Sequence, residues 1–172
     1  VTPILAWGDT RASEMALELR EQLDERSLHR RTGCFLHPSY PLVKLAWLRR
    51  EDPGAFARGA AWVSFPEYLE ERFLGVRRTS SSMASGSGLL DVHRERWDDE
   101  ALAIAGVTED QLPRVVDASD GVRGLRAEFA ARWPELDGVP WFPPLGDGAC
   151  ANAGSGAVGA GRPGLTIGTS AA

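Results

Sequence analysis

The spacing of apolar residues divides the chain into short helices and shorter strands. Ala12, Met15, Ala16, Leu19 and Leu23 recur three and four apart, which predicts a helix whose N-cap is Thr10. Before it, Pro3-Ile4-Leu5-Ala6-Trp7 reads as a strand that ends in the polar turn Gly8-Asp9-Thr10. Pro41 suits a first helical turn, and Leu45 and Leu48 carry that helix toward Asp52, where Pro53 stops it. Ser64-Phe65-Pro66-Glu67 is a capping-box pattern for a helix through Tyr68, Leu69 and Phe73 that closes at Gly75. Trp97-Asp98-Asp99-Glu100 opens a short helix ending at Gly106, and Thr108 to Gln111 repeats the box before Pro113. Residues 124–133 are weakly helical. Val139-Pro140-Trp141-Phe142 predicts a buried strand, residues 147–157 a helix of small residues, and Leu165-Thr166-Ile167 a last strand. Alternation of the two element types predicts an α/β fold. Residues 80–88 are rich in Ser and Gly, and no repeat interrupts the pattern.

Composition narrows the function classes. With 172 residues, 43% hydrophobic and 25% charged, the chain has the make-up of a globular domain able to bury a core. A net charge of −5 speaks against sequence-independent nucleic-acid binding, and no apolar run is long enough to span a bilayer. Cys34 and Cys150 form neither a disulfide framework nor a metal spacing, and no basic stretch precedes an apolar one as in a secretion signal. The expected location is the cytoplasm. The first residue is Val1 and the last segment is Thr166-Ile167-Gly168-Thr169-Ser170-Ala171-Ala172, so both ends read as cuts through a longer protein.

Three segments carry candidate chemistry. In Gly146-Asp147-Gly148, a carboxylate lies between glycines, after a strand and before a helix of tiny residues. There it can act as a general base toward a hydroxyl, or simply cap the helix, and spacing alone favours the cap. Gly168-Thr169-Ser170 follows a strand, where glycine amides and hydroxyls can hold phosphate oxygens, although an ordinary turn has the same composition. Trp7-Gly8-Asp9-Thr10-Arg11 offers an indole face with a carboxylate and a guanidinium, a set suited to a polyol, although these residues alone favour a strand-end turn with a surface Asp–Arg pair. His37-Pro38-Ser39-Tyr40 adds polar side chains between prolines, while His29 and His93 lie in charged stretches and receive no role. Two patterns are set aside. Gly159 to Gly164 spells G-x-G-x-x-G but follows a helix and contains Pro163, which excludes a dinucleotide turn. Ser170 lacks the second glycine of a hydrolase elbow.

Taken in order, these residues resemble a known family. Trp7-Gly8-Asp9-Thr10-Arg11, Thr32-Gly33-Cys34, His37-Pro38-Ser39-Tyr40-Pro41, Lys44 to Leu48, Glu67-Tyr68-Leu69, Ser82 to Ser85, Gly88 to Asp91, Trp97-Asp98, Leu112-Pro113, Gly146-Asp147-Gly148 and Thr166 to Ser170 follow the order and spacing of FGGY carbohydrate kinases. Thr32 to Tyr40, Ser82 to Gly86 and Trp141-Phe142-Pro143 are most similar to the gluconate kinase branch.

The resemblance implies an actin-like, RNase H-like ATPase fold in two domains, with ATP, Mg²⁺ and the sugar in the cleft between them. It implies that Asp147 is the catalytic base and that Gly168, Thr169 and Ser170 form a phosphate-binding loop, with Ala171 where the family commonly has glycine. Trp7, Asp9 and Arg11 fall at sugar-contacting or sugar-orienting positions, and His37, Ser39 and Tyr40 fall in a turn that touches the sugar. Arg11, His37 and Lys44 are the expected partners of a substrate carboxylate, and no protein metal ligand is assigned. Residues 1–172 would then be part of an N-terminal domain, lacking the family's first phosphate loop and its C-terminal nucleotide domain. As an isolated fragment it would be inactive, and the longer parent would phosphorylate gluconate, alone or as a homodimer, without nucleic-acid or membrane partners. The alternative is a pseudokinase-like fragment that only binds a sugar or a partner.

Overall fold

The computed structural model describes residues 3–159 and 161–165. Ten α-helices are assigned among them, besides one 3₁₀ turn (Glu109–Gln111): α1 (Ser13–Gln22), α2 (Glu25–Thr32), α3 (Pro41–Glu51), α4 (Pro53–Ala57), α5 (Phe65–Leu74), α6 (Ser81–Ser85), α7 (Asp99–Ala105), α8 (Ala127–Arg132), α9 (Pro134–Asp137) and α10 (Asp147–Gly154). Four strands form two small sheets. β1 (Arg78–Ser80) runs parallel to β4 (Arg114–Val116) with Thr79 opposite Val115, and β2 (Leu90–Asp91) runs antiparallel to β3 (Arg96–Trp97).

The core centres on α3. Leu42, Val43, Leu45, Ala46 and Leu48 are all buried, so this helix is covered on several sides, by α1, α4 and α7. Pro41 stands at its first turn as predicted, and Asp52 at its end accepts from Ala55 N at 2.8 Å to start α4. Pro53 therefore ends one helix by opening another. Ser64 N donates to Glu67 Oε2 at 2.6 Å, which starts α5, and Gly75 closes it in the left-handed region at φ 75°. Asp98 caps α7 by accepting from Ala101 N at 2.9 Å.

Several expectations are corrected. Residues 3–7 form no strand, because no strand lies beside them among the described residues, and their carbonyls turn elsewhere. Ala6 O accepts from Asp9 N at 3.0 Å and from Lys44 Nζ at 2.8 Å. The first helix begins at Ser13 rather than after a Thr10 cap, since Asp9 and Thr10 close a separate turn: Thr10 O accepts from Ser13 N and Ser13 Oγ. Residues 139–142 contribute one bridge, Val122 to Trp141, and both Val139 and Phe142 are exposed. α10 ends at Gly154, three residues early. Of the last expected strand, Leu165 is irregular, and Thr166 and Ile167 lie outside the described residues.

β1 was absent from the sequence-based expectation. It reads Arg-Thr-Ser, yet all three residues are buried. Arg78 donates to Glu70 Oε1 through Nε (2.8 Å) and Nη2 (2.5 Å), to Asp120 O at 2.5 Å and to Trp141 O at 2.9 Å. Buried polar groups are tolerated when their hydrogen bonds are met, and here the partners lie as far away as residue 141.

Candidate active site

The turn at Trp7 and the turn at residues 37–40 meet over the N-terminal end of α3. Gly33, left-handed at φ 71°, ends α2 and releases the chain toward the core at Cys34 and Leu36. Tyr40 N donates to His37 O at 3.0 Å and closes the second turn, while Ser39 N donates to His37 Nδ1 at 3.2 Å. That bond leaves the neutral His37 ring with its proton on Nε2. Lys44 joins the two turns. Its Nζ donates to Ala6 O at 2.8 Å and to Ser39 O at 3.0 Å from a buried position. Burial lowers the Lys44 pKa, and the nearby Asp9 charge opposes that shift.

Between the turns is a cavity of about 300 Å³, lined by Trp7, Arg20, Phe35, His37, Ser39 and Tyr40. Its size is at the lower end of small-molecule sites. The aromatic walls leave Trp7 69% and Phe35 55% exposed, with Phe35 stacked on His29 at 4.0 Å. Carbohydrates pack C–H faces on such rings while their hydroxyls find Ser, Tyr and His. Four expected residues, Trp7, His37, Ser39 and Tyr40, are thus brought together. Arg20 and Phe35 line the same cavity and were missed: Phe35 stands inside the Thr32 to Tyr40 run without a polar group to single it out, and Arg20 sits on a helix thirteen residues from Trp7.

Asp9 and Arg11 lie beside this cavity but are engaged with each other. Arg11 Nη2 donates to Asp9 Oδ2 at 2.6 Å and Nε to Oδ1 at 3.0 Å, and its guanidinium lies 4.9 Å from the centre of the Trp47 ring. The hydrogen bonds from Arg11 hold the Asp9 carboxyl down from the usual 3.8 to about 2. A depressed carboxyl favours the fold above its unfolded pKa, so this contribution is complete above pH 3.8 and vanishes as pH falls through about 2. By carboxyl NMR, Asp9 should titrate with a midpoint near 2, moving back toward 3.8 in Arg11→Ala. An unmoved midpoint would show that the pair does not form in solution.

Asp147 is exposed at the first position of α10, with Gly146 as the N-cap, so it is not the capping residue. Its Oδ1 accepts from Gly148 N at 2.8 Å. The turn that carries it is fixed by two serines: Ser80 Oγ donates to Pro144 O at 2.6 Å, and Gly146 N donates to Ser82 Oγ at 3.0 Å. Ser82 belongs to α6, whose other end holds the cavity loops. Ser85 O accepts from Cys34 Sγ at 3.2 Å, and just past α6 Ser87 O accepts from Leu42 N at 3.1 Å. One short helix therefore ties the Asp147 turn and the cavity walls to a common frame. Gly168, Thr169 and Ser170 lie outside the described residues. Among the described residues no group of three or more His, Cys, Asp or Glu could hold a metal, and no helix is long and apolar enough to cross a membrane.

Comparison with known proteins identifies the family. Residues 1–154 match the N-terminal domain of the FGGY family of carbohydrate kinases. The chain is 30% identical over 172 residues to gluconokinase of Bacillus subtilis (strain 168), covering 100% of the chain and 34% of that protein. It is 30% identical over 174 residues to xylulose kinase of Klebsiella pneumoniae, covering 98% and 34%. The chain thus spans about a third of the length of these curated relatives. The gluconate kinase structure from Lactobacillus acidophilus superposes with a TM-score of 0.80 at 25% identity, over 85% of this chain and 30% of that one. Plasmodium falciparum glycerol kinase with ADP superposes at 0.83 over 96% of this chain and 33% of that one, and at 20% identity it speaks for the fold alone. That fold is the actin-like ATPase fold, and the chain belongs to the FGGY family of carbohydrate kinases.

Proposed function

We propose that the protein carrying this chain phosphorylates a hydroxyl of an open-chain sugar acid, gluconate, at the expense of ATP, in the cytoplasm. Residues 1–172 form part of its N-terminal domain. The observation that carries this reading is the placement of Asp147: a solvent-facing carboxylate on a turn pinned by Ser80 and Ser82, framed with an aromatic, hydroxyl-lined cavity.

In this reading the sugar carbon chain lies against Trp7 and Phe35, and its hydroxyls meet Ser39, Tyr40 and His37. Asp9 and Arg11, bound to each other, orient the Trp7 turn. Asp147 takes the proton of the attacking hydroxyl as that oxygen forms its bond to the γ-phosphorus and the bond from that phosphorus to the β,γ-bridging oxygen breaks, so ADP leaves and the new phosphate ester carries no positive charge on oxygen. ATP with Mg²⁺, when bound, supplies the transferable γ-phosphoryl group, and phosphoryl transfer asks of the protein mainly positioning and charge stabilisation. Gly168, Thr169 and Ser170 would hold phosphate oxygens. Among the described residues no group of three or more His, Cys, Asp or Glu could hold a metal, which fits Mg²⁺ that would be carried on the ATP phosphates rather than in a protein cage, and leaves Asp147 free as base.

An ADP-release assay on the full-length protein with gluconate, xylulose and glycerol tests this. Gluconate should give the highest kcat/KM. A better rate with xylulose or glycerol would remove gluconate and leave the kinase reading standing, while no turnover with any sugar would remove both.

A further inference from the structure

We propose that Arg20 reads the substrate carboxylate and so selects a sugar acid over the corresponding neutral polyol. This rests on the sugar-acid reading above. A bound carboxylate needs a cation facing it, and four stand near the cavity. Arg11 has Nε and Nη2 committed to Asp9 and lies over Trp47. Lys44 is buried, with Nζ donating to two backbone carbonyls, one of them from each turn. His37 accepts the Ser39 amide at Nδ1, which leaves one ring nitrogen, Nε2, outside that bond. A single ring nitrogen cannot make the paired contact that a guanidinium gives a carboxylate.

Arg20 differs from all three. It lines the cavity, and its recorded hydrogen bond among the described residues is Nε to Glu25 Oε1 at 3.1 Å. The same oxygen accepts from Leu36 N at 2.9 Å, between the cavity residues Phe35 and His37. Glu25 is thereby anchored to the cavity loop and grips one edge of the guanidinium. The Nη1 and Nη2 edge has no partner among the described residues, and two parallel N–H groups match a carboxylate. The side chain is 39% exposed, so binding would displace water from the guanidinium without burying a bare charge. A helix residue held by its own carboxylate is also less costly to order than a free arginine.

The test uses the full-length protein without nucleotide, and compares gluconate with glucitol, its counterpart bearing CH₂OH in place of the carboxylate. Calorimetry should show Arg20→Gln binding gluconate about ten- to a hundredfold more weakly, as expected for loss of a charge-assisted hydrogen bond. The ratio of gluconate to glucitol affinity should collapse, and Arg20→Lys should restore part of it. In turnover, the loss should fall on KM for gluconate rather than on kcat. If wild type binds gluconate and Arg20→Gln binds it equally, or loses both ligands in proportion, Arg20 is not the reader. If wild type binds xylulose and not gluconate, the sugar-acid reading fails and this inference fails with it.

Discussion

Replacing Asp147 by Asn should leave sugar binding intact and cut turnover by about 10²–10⁴-fold, the usual contribution of a general base. The substitution suits the site. Asn keeps a carbonyl oxygen that can accept the Gly148 amide, as Asp147 Oδ1 does at 2.8 Å. The contacts that fix the turn, from Ser80 to Pro144 and from Gly146 to Ser82, do not involve the side chain at 147. The change therefore removes the proton acceptor and little else. Gluconate affinity from calorimetry and kcat from ADP release should separate cleanly, the first unchanged and the second low. A variant that turns over within about threefold of wild type would sink the assignment of Asp147 as base.

The largest expected loss of stability comes from Arg78. Its side chain and that of Glu70 are 3% and 6% exposed, and Glu70 Oε2 has no partner among the described residues beyond the two bonds at Oε1. Removing one member of a buried pair leaves the other charge without compensation, which costs about 3–5 kcal/mol, whereas replacing both by apolar groups is often close to neutral. Arg78→Met should thus lower the denaturation midpoint of the full-length protein strongly, and Glu70→Leu combined with Arg78→Met should recover much of it. Equal midpoints for the single and double variants would show that the unpaired Glu70 charge is not what costs the stability. Arg78 also holds Trp141 O, six residues before Asp147, so the single variant should lose turnover before it unfolds.

The elements announced by local chemistry were legible. Pro41, the Ser64 and Glu67 pattern, and Gly75 and Gly106 in the left-handed region each act within a few residues, and the helices they bound are found where expected. α2 escaped notice because only Leu28 and Thr32 among its residues are buried, although the Asp24 cap and Gly33 marked its ends. β1 was invisible for a different reason. Arg78, Thr79 and Ser80 carry no apolar signature, and their burial depends on Glu70, Asp120, Trp141 and Pro144, which no local window contains. The candidate site divides in the same way. Trp7, His37, Ser39 and Tyr40 stood in compact motifs and do share one cavity, whereas Arg20 reaches it only because α1 packs there. Capping was the commoner explanation for Asp147, and it gives way because Gly146 occupies the cap position.

The staple made by Lys44 separates two jobs that many binding sites combine. The two turns are locked together by an ammonium that touches only backbone carbonyls, Ala6 O and Ser39 O, so the span of the opening does not depend on which side chains face into it. Of the wall residues, Trp7, Phe35, Ser39 and Tyr40 make no side-chain hydrogen bond to the two turns among the described residues, whereas the His37 ring accepts the Ser39 amide. A backbone gauge of this kind sets the width of an opening separately from the side chains that decide what fits it.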